Sequence, residues 1–426
     1  MSLAVFFILV ALLAGSVWVG MSLIIVAIFS FEYFTSSPSL TILTNILWNS
    51  THSSTMFALP LFVFMGEILF RSKISENLFK GLSPWVNFLP GGLIHINIVA
   101  SALFAAVSGS SAATTATVGK ITLPELFKRG FDRKLVIGSL AGAGTLGFLI
   151  PPSMMMLVYG IVSGVSIGKL FIAGILPGIL LALLLIVYNM IRCIIDPSLS
   201  PKTDDKYTWD DRLKSIPQLA PVVTLIIMVL GSIYTGFATP TEAAAVGVLG
   251  ALIFAFMTNS MDLNIFMEAM MGSIKTSTMI MLIVCGATYF SVAIGYLGIP
   301  AQLTAMIGGL GLSKYVLIFI LSIMYLFLGC LLDGFSMIVM SLPLALPLIL
   351  AAGFDPLWFG IYLIIMIELA QITPPVGFNL FVINGLVEDD IFTIAKSALP
   401  AFFIILLVVV LITAFPQIVL FLPGFM

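Results

Sequence analysis

Charged side chains are scarce in this 426-residue chain: Lys, Arg, Asp and Glu make up 8% of it, and the formal net charge is -2. With so few cations, no basic tail and a pI near 5.7, a nucleic-acid-binding role has no electrostatic footing. Histidine is rarer still. His52 and His95 are the only two, and neither belongs to an HExxH pattern. A Walker-type loop is absent as well, and the chain reads as a non-enzyme. The three cysteines, Cys193, Cys285 and Cys330, have no metal-ligand spacing. The last two sit in apolar runs, where a small buried thiol is the ordinary reading, so neither a transition metal nor an organic cofactor is expected. The opening apolar run has no positive n-region and continues past Gly20, which favours a retained first helix over a cleaved leader.

What the chain has in abundance is apolar surface. Hydrophobic residues make up 61% of it and its mean hydropathy is +1.22, which places it among all-α polytopic membrane proteins whose solvent is the bilayer. A crossing helix needs about 20 apolar residues. Runs of that kind occur near 3–29, 54–70, 135–162, 170–192, 218–237, 241–258, 277–292, 357–383 and 394–421, nine crossings in all. Two further apolar segments, about 92–127 and 316–350, are broken in the middle by "SGSS" and "LLDGFS".

The two halves of the chain align at a constant shift of 223 residues. That register sets "ITLPELFKRGFD" (121–132) on "LALPLILAAGFD" (344–355) without a gap, Pro151-Pro152 on Pro374-Pro375, and Pro177 on Pro400. Isolated Gly or Pro matches are common in membrane proteins, whereas one register through four separate motifs indicates duplication. The reading is a first repeat over 1–195, a cytoplasmic linker over 196–217 and a second repeat over 218–426.

Charge orients the copies. Of 17 Lys and Arg, eight fall between Arg71 and Lys134 and five between Arg192 and Lys214, which marks those loops as cytoplasmic. The matched GFD loops then differ: "KRGFDRK" is basic, while "AAGFDPL" has no basic residue. The copies are therefore read as inverted, with 92–127 a re-entrant hairpin from the cytoplasmic side and 316–350 its periplasmic counterpart. The N-terminus is expected in the cytoplasm and the C-terminus in the periplasm.

Irregular backbone at membrane depth survives only when buried in protein or lining a polar cavity. The first tip supplies carbonyls and the hydroxyls of Ser108, Ser110, Ser111, Thr114 and Thr115, and the Pro-Pro break at 151–152 frees carbonyls one turn earlier in "AGAGTLGFLIPPS". Such hard, weakly charged oxygens suit Na⁺. The second copy offers Asp333, the only charge between Lys314 and Asp355, and Glu368, the only one between Asp355 and Glu388. Intramembrane acids default to functional readings, the alternative being a structural pair. The expected Na⁺ ligands, forming at least two sites, are Ser108, Gly109, Ser110, Ser111, Gly144, Thr145, Gly147, Asp333, Gly334, Ser336, Gln371 and Thr373. Close helix packing through small residues is the alternative for "GSLAGAG" (138–144).

The motifs "SGSSAATTATVG", "AGTLGFLIPPSMMMLVYG", "LFIAGILPG", "TPTEAAAVG", "GCLLDGFSMI" and "QITPPVGFNLFV" together resemble the large membrane subunit of TRAP (tripartite ATP-independent periplasmic) transporters, over nearly the whole chain. The resemblance implies an elevator-type, Na⁺-driven importer of small organic anions in the bacterial inner membrane. It implies two partners, a small four-helix membrane subunit and a periplasmic substrate-binding protein. No additional four-helix block flanks the motifs, so the chain resembles the unfused form. The overall look is similar to the sialic acid (N-acetylneuraminate) members, and C4-dicarboxylate members share the same motifs. Helix N-termini released by the breaks favour an anion, and the residues assigned to it are Thr114, Thr115, Pro151, Ser153, Pro374, Gly377 and Asn379. Rival readings are a divalent-anion/Na⁺ symporter that works without a binding protein, a passive anion channel, and an intramembrane enzyme.

Overall fold

The computed structural model describes residues 2–201, 207–330, 332–375 and 377–426. Lys202 and Lys206, two of the cations that orient the chain, lie outside the described residues, as do Leu331 and Val376 within the second-copy motifs. Among the described residues the secondary structure is helical, with no strand.

The first half opens with α1 (Ser2–Ala14), α2 (Val19–Phe34), α3 (Ser39–Thr51), α4 (Ser54–Arg71) and α5 (Ile74–Val86). A hairpin follows, α6 (Ile96–Ser108) and α7 (Ser111–Lys128). Next come the pieces of a broken helix, α8 (Arg133–Gly144), α9 (Leu146–Leu149) and α10 (Met154–Ser163), and then α11 (Ile167–Ile195). The second half consists of α12 (Trp209–Tyr234), α13 (Pro240–Met257), α14 (Leu263–Tyr296) and α15 (Ile299–Gly309). Its hairpin is α16 (Lys314–Gly329) and α17 (Gly334–Ala351), its broken helix α18 (Pro356–Gln371) and α19 (Phe378–Asn384), and α20 (Ile391–Ala414) follows, with short helical turns at Gln417–Leu420 and Leu422–Phe425 after it.

Helices α7 and α17 begin and end 223 residues apart, and so do the Asp132 and Asp355 caps that start α8 and α18. Packing exchanges the copies. Helix α2 lies along α14 while its counterpart α13 lies along α4, and α10 rests on α17 as α19 rests on α7. Each half-helix thus packs on the hairpin of the other copy, so the middle of the molecule is shared between them. At the centre is α18, which buries every residue from Leu357 to Gln371, as befits a helix apolar on all sides. The "GSLAGAG" run packs α8 closely on α20: a Cβ on Gly138 would lie 2.1 Å from the Ser397 carbonyl oxygen.

Eight helical segments among the described residues are long and apolar enough to cross a membrane, and they do not coincide with the nine crossings expected from hydropathy. The run 3–29 is two helices, because the chain leaves α1 through Ser16 at φ +59, with the Val17 N–H returning to the Leu12 carbonyl. The last crossing stops at Ala414, just before Pro416, which has no N–H to continue the ladder. Thr208 and Asp211 form a capping box, so α12 begins at Trp209, ahead of the apolar run that starts at 218.

Candidate functional site

The first hairpin tip is built from local polar bonds. Gly109, at φ +59, closes α6 with its N–H on the Ala105 carbonyl, and extended Ser110 caps α7 by accepting from the Ala113 N–H at 3.4 Å. Thr114 Oγ1 donates to the Ser110 carbonyl at 2.7 Å and lies 3.0 Å from Ser108 Oγ. Ser153 caps α10 through the Met156 N–H, and the Met154 N–H reaches the Gly109 carbonyl at 3.4 Å, so the tip is fastened to the first break. Ser108, Ser110, Thr114 and Ser153 hold the turn together.

One step further along α7 the chemistry changes. Ser111 Oγ lies 3.0 Å from the Gly144 carbonyl oxygen and 3.2 Å from Glu368 Oε2, and it accepts from Asn379 Nδ2 at 2.7 Å. Glu368 Oε1 accepts from the Phe148 N–H at 2.8 Å. That N–H sits in the first turn of α9 and is unpaired within its own helix because the chain breaks at Thr145. Ser111, Thr115, Glu368 and Asn379 are all fully buried. Gly147 permits the approach: a Cβ there would lie 2.5 Å from Ser111 Cα and 2.6 Å from its N, where only backbone is present to move.

Two oxygens beside this cluster are buried without a hydrogen-bond partner, Thr115 Oγ1 and Asn379 Oδ1. Among the described residues no Lys, Arg or His pairs with Glu368. A buried carboxylate served only by neutral donors is costly unless a proton or a cation neutralises it. Ser111 has a single proton to offer two acceptors, so the cluster is short of positive charge.

The second tip is arranged differently. Asp333 is exposed and caps α17, accepting from the Phe335 and Ser336 N–H groups at 3.0 and 3.3 Å and from the Ser336 hydroxyl. Gly334 faces Ile367 and Met155, and the Phe335 ring meets Phe148 edge-on at 6.4 Å. The two tips therefore reach α18 at consecutive residues, Ile367 and Glu368. The shift of 223 explains the difference: Ser111 matches Gly334, Gly144 matches Ile367, and Thr145 matches Glu368. Where the first copy offers a hydroxyl, the second offers a hydrogen atom.

Of the residues expected to hold ions, the structure gathers Ser111, Gly144 and Gly147 around Glu368, with Thr115 and Asn379 from the substrate set. Thr145 instead bonds back to the Gly142 carbonyl at 2.7 Å, and Thr373 to the Leu369 carbonyl at 2.7 Å. Gln371 is buried near the end of α18, Pro374 is exposed, and its carbonyl accepts from Cys330 Sγ at 3.5 Å. Gly377 opens α19 at φ +38, and Pro151-Pro152 and Pro374-Pro375 are both cis. Glu368 stood outside the expected ligand set. Two sequence features point to it: it is a lone charge, and the repeat register sets it opposite Thr145, a member of that set.

Comparison with known proteins agrees with this architecture. Residues 6–418 match the family described as "DctM: Tripartite ATP-independent periplasmic transporter, DctM component". The C4-dicarboxylate TRAP transporter large permease protein DctM of Pseudomonas aeruginosa is 32% identical over 383 residues, covering 89% of this chain and 88% of that one. The sialic acid TRAP transporter large permease protein SiaM of Vibrio cholerae is 30% identical over 413 residues, covering 97% and 96%. Among solved structures, the Alcanivorax borkumensis YdaH transporter, described as having an unusual topology, superposes with a TM-score of 0.64 at 14% identity over 89% of each chain, a likeness of fold. Family match, full-length relatives and paired hairpins lead to one conclusion: this chain is a multi-pass membrane protein of the DctM-component family of tripartite ATP-independent periplasmic transporters.

Proposed function

We propose that the chain is the large transmembrane subunit of a Na⁺-coupled secondary importer of a small organic anion. Sialic acid (N-acetylneuraminate) is the first choice of substrate and a C4-dicarboxylate the second, since relatives of near-equal identity carry those names. In this reading a periplasmic binding protein delivers the anion, and a small four-helix membrane subunit braces the chain in the inner membrane. The hairpins and broken helices carry the cargo across as an elevator, with the long helices α4, α12, α13 and α14 as scaffold.

The observation that supports this best is the positive-charge deficit at Glu368. A carboxylate, a carbonyl oxygen and two unpartnered buried oxygens converge where the halves of a duplicated chain meet, the place at which alternating-access transporters bind coupling ions. Ser111, Gly144, Thr115, Glu368 and Asn379 are the residues that would hold Na⁺ there. The Asp333 tip, with Gly334, Ser336, Gln371 and Thr373, is the proposed second ion region. Thr114, Pro151, Ser153, Pro374 and Gly377 remain the proposed contacts of the anion.

The test is uptake by proteoliposomes carrying this chain, its small subunit and a binding protein, under an inward Na⁺ gradient, with radiolabelled sialic acid and C4-dicarboxylates. Accumulation that needs all three proteins and the gradient is expected. Equal uptake without Na⁺ overturns the coupling, and full uptake by this chain alone favours the symporter reading.

A further inference from the structure

One crevice lies away from Glu368, and none of its lining residues belongs to the proposed ion or anion sites. It measures about 560 Å³ and opens between the start of α8, the end of α11 and the start of α20. Three cations line it, one from each helix: Lys134, Arg192 and Lys396. Among the described residues none of the three forms an ion pair with a carboxylate. Arg192 Nη1 reaches only the Tyr188 hydroxyl, at 3.4 Å. The nearby acids are engaged elsewhere, Asp132 with the Leu135 N–H at 2.8 Å and Asp196 with the Ser198 N–H and hydroxyl at 3.1 and 2.6 Å. Deeper in, Asn189 Nδ2 donates to Ser139 Oγ at 3.0 Å, and both residues are buried. With Asp132 as the one carboxylate of its lining against three cations, the crevice has a net positive rim over a polar floor, which is the chemistry of an anion site.

A second groove, about 270 Å³, abuts it and is lined by Ile372, Phe392, Leu399 and Phe402 together with Lys396, and it borders Thr373 and Pro374 of the second break. Lys396 is common to the two. A cationic pocket that continues into an apolar groove across one lysine matches a molecule with an anionic head and an apolar tail. The site also lies at the end of the bundle where Arg133 pairs with Asp389 at 2.6 Å, the end that the Lys and Arg distribution assigns to the cytoplasm. Basic pockets between helices on that side hold anionic lipid headgroups.

We infer that the cleft between α8, α11 and α20 binds the phosphate headgroup of an anionic glycerophospholipid from the cytoplasmic leaflet, with Lys134, Arg192 and Lys396 around the phosphate and one acyl chain in the groove beside α20. The three helices belong to both copies, so a bound lipid clamps the halves together at this end.

Thermal unfolding of the detergent-purified full chain, titrated with dioleoyl phosphatidylglycerol, dioleoyl phosphatidylcholine or inorganic phosphate, tests the site, with native mass spectrometry counting bound lipid. Phosphatidylglycerol is expected to raise the midpoint and to remain bound. The combined variant Lys134→Gln, Arg192→Gln, Lys396→Gln should need at least tenfold more of it for the same shift, while Lys169→Gln, a control lysine at the start of α11, should behave as wild type. Inorganic phosphate should do little, because it lacks the tail. An equal response to phosphatidylcholine, an equal response to inorganic phosphate, or an unchanged response in the triple variant each overturns the assignment.

Discussion

Ser111 and Glu368, 257 positions apart in the chain, meet at 3.2 Å through the serine hydroxyl and a carboxylate oxygen, both buried. This contact joins the first hairpin to the central helix of the second copy. It also makes the tip sensitive to whatever neutralises the carboxylate.

Glu368→Gln keeps an oxygen for the Phe148 N–H and removes the charge. Folding should persist, with a thermal midpoint close to wild type, while the Na⁺ concentration for half-maximal uptake rises about tenfold or more, a loss of roughly 1.4 kcal/mol per decade. Ser111→Ala should shift the same parameter by less, since the carboxylate remains. An unaltered Na⁺ requirement in Glu368→Gln would remove the acid from the ion site.

Gly147→Ala drives a methyl group into the Ser111 backbone at 2.5 Å, where no side chain is free to yield. Overpacking of this kind costs about 1–3 kcal/mol, and the midpoint in detergent should fall. Gly231→Ala is the control: it lies inside α12 with nothing within 4 Å of its added Cβ, and should gain about 0.5–1 kcal/mol from reduced backbone entropy.

Asp333 combines a charge with a helix cap, and two substitutions separate them. Asn caps about as well as Asp, whereas Ala loses about 1 kcal/mol of capping. Asp333→Asn should leave thermal stability unchanged and raise the Na⁺ requirement, while Asp333→Ala should reduce stability as well. If Asp333→Asn changes which anion is carried and leaves the Na⁺ dependence untouched, the residue belongs to the substrate instead.

Lys128 and Ala351 are equivalent under the 223-residue shift, and both are exposed at the ends of α7 and α17. With Cys193, Cys285 and Cys330 replaced by Ser, Lys128→Cys should react with an impermeant maleimide from the cytoplasmic face and Ala351→Cys from the periplasmic face. Labelling of both from one side would dismiss the inverted arrangement.

Much of the architecture was legible because it depends on local patterns. The constant register, readable in LP, GFD and PP motifs, equals the offset between α7 and α17, and Pro177 and Pro400 fall inside the matched helices α11 and α20. The break in 3–29 was hidden, since a hydropathy window sums residues and is blind to a single left-handed Ser16. The amphipathic α5, with buried Ile74, Leu78 and Leu82, also escaped a search for continuous apolar runs.

By itself, the sequence determined the solvent and the duplication: composition dictates a bilayer, and repeated Gly and Pro positions fix where helices must break. It also marked Asp333 and Glu368, each the lone charge in an apolar stretch, and by that criterion they are equivalent. Only the tertiary structure separated them. Asp333 sits exposed at the N-terminus of α17, where backbone N–H groups serve it, whereas Glu368 lies within a helix packed on every side. Its partners come from α7, α9 and the packing around α19, and contacts across 257 residues are set by how helices pack, which no local pattern records.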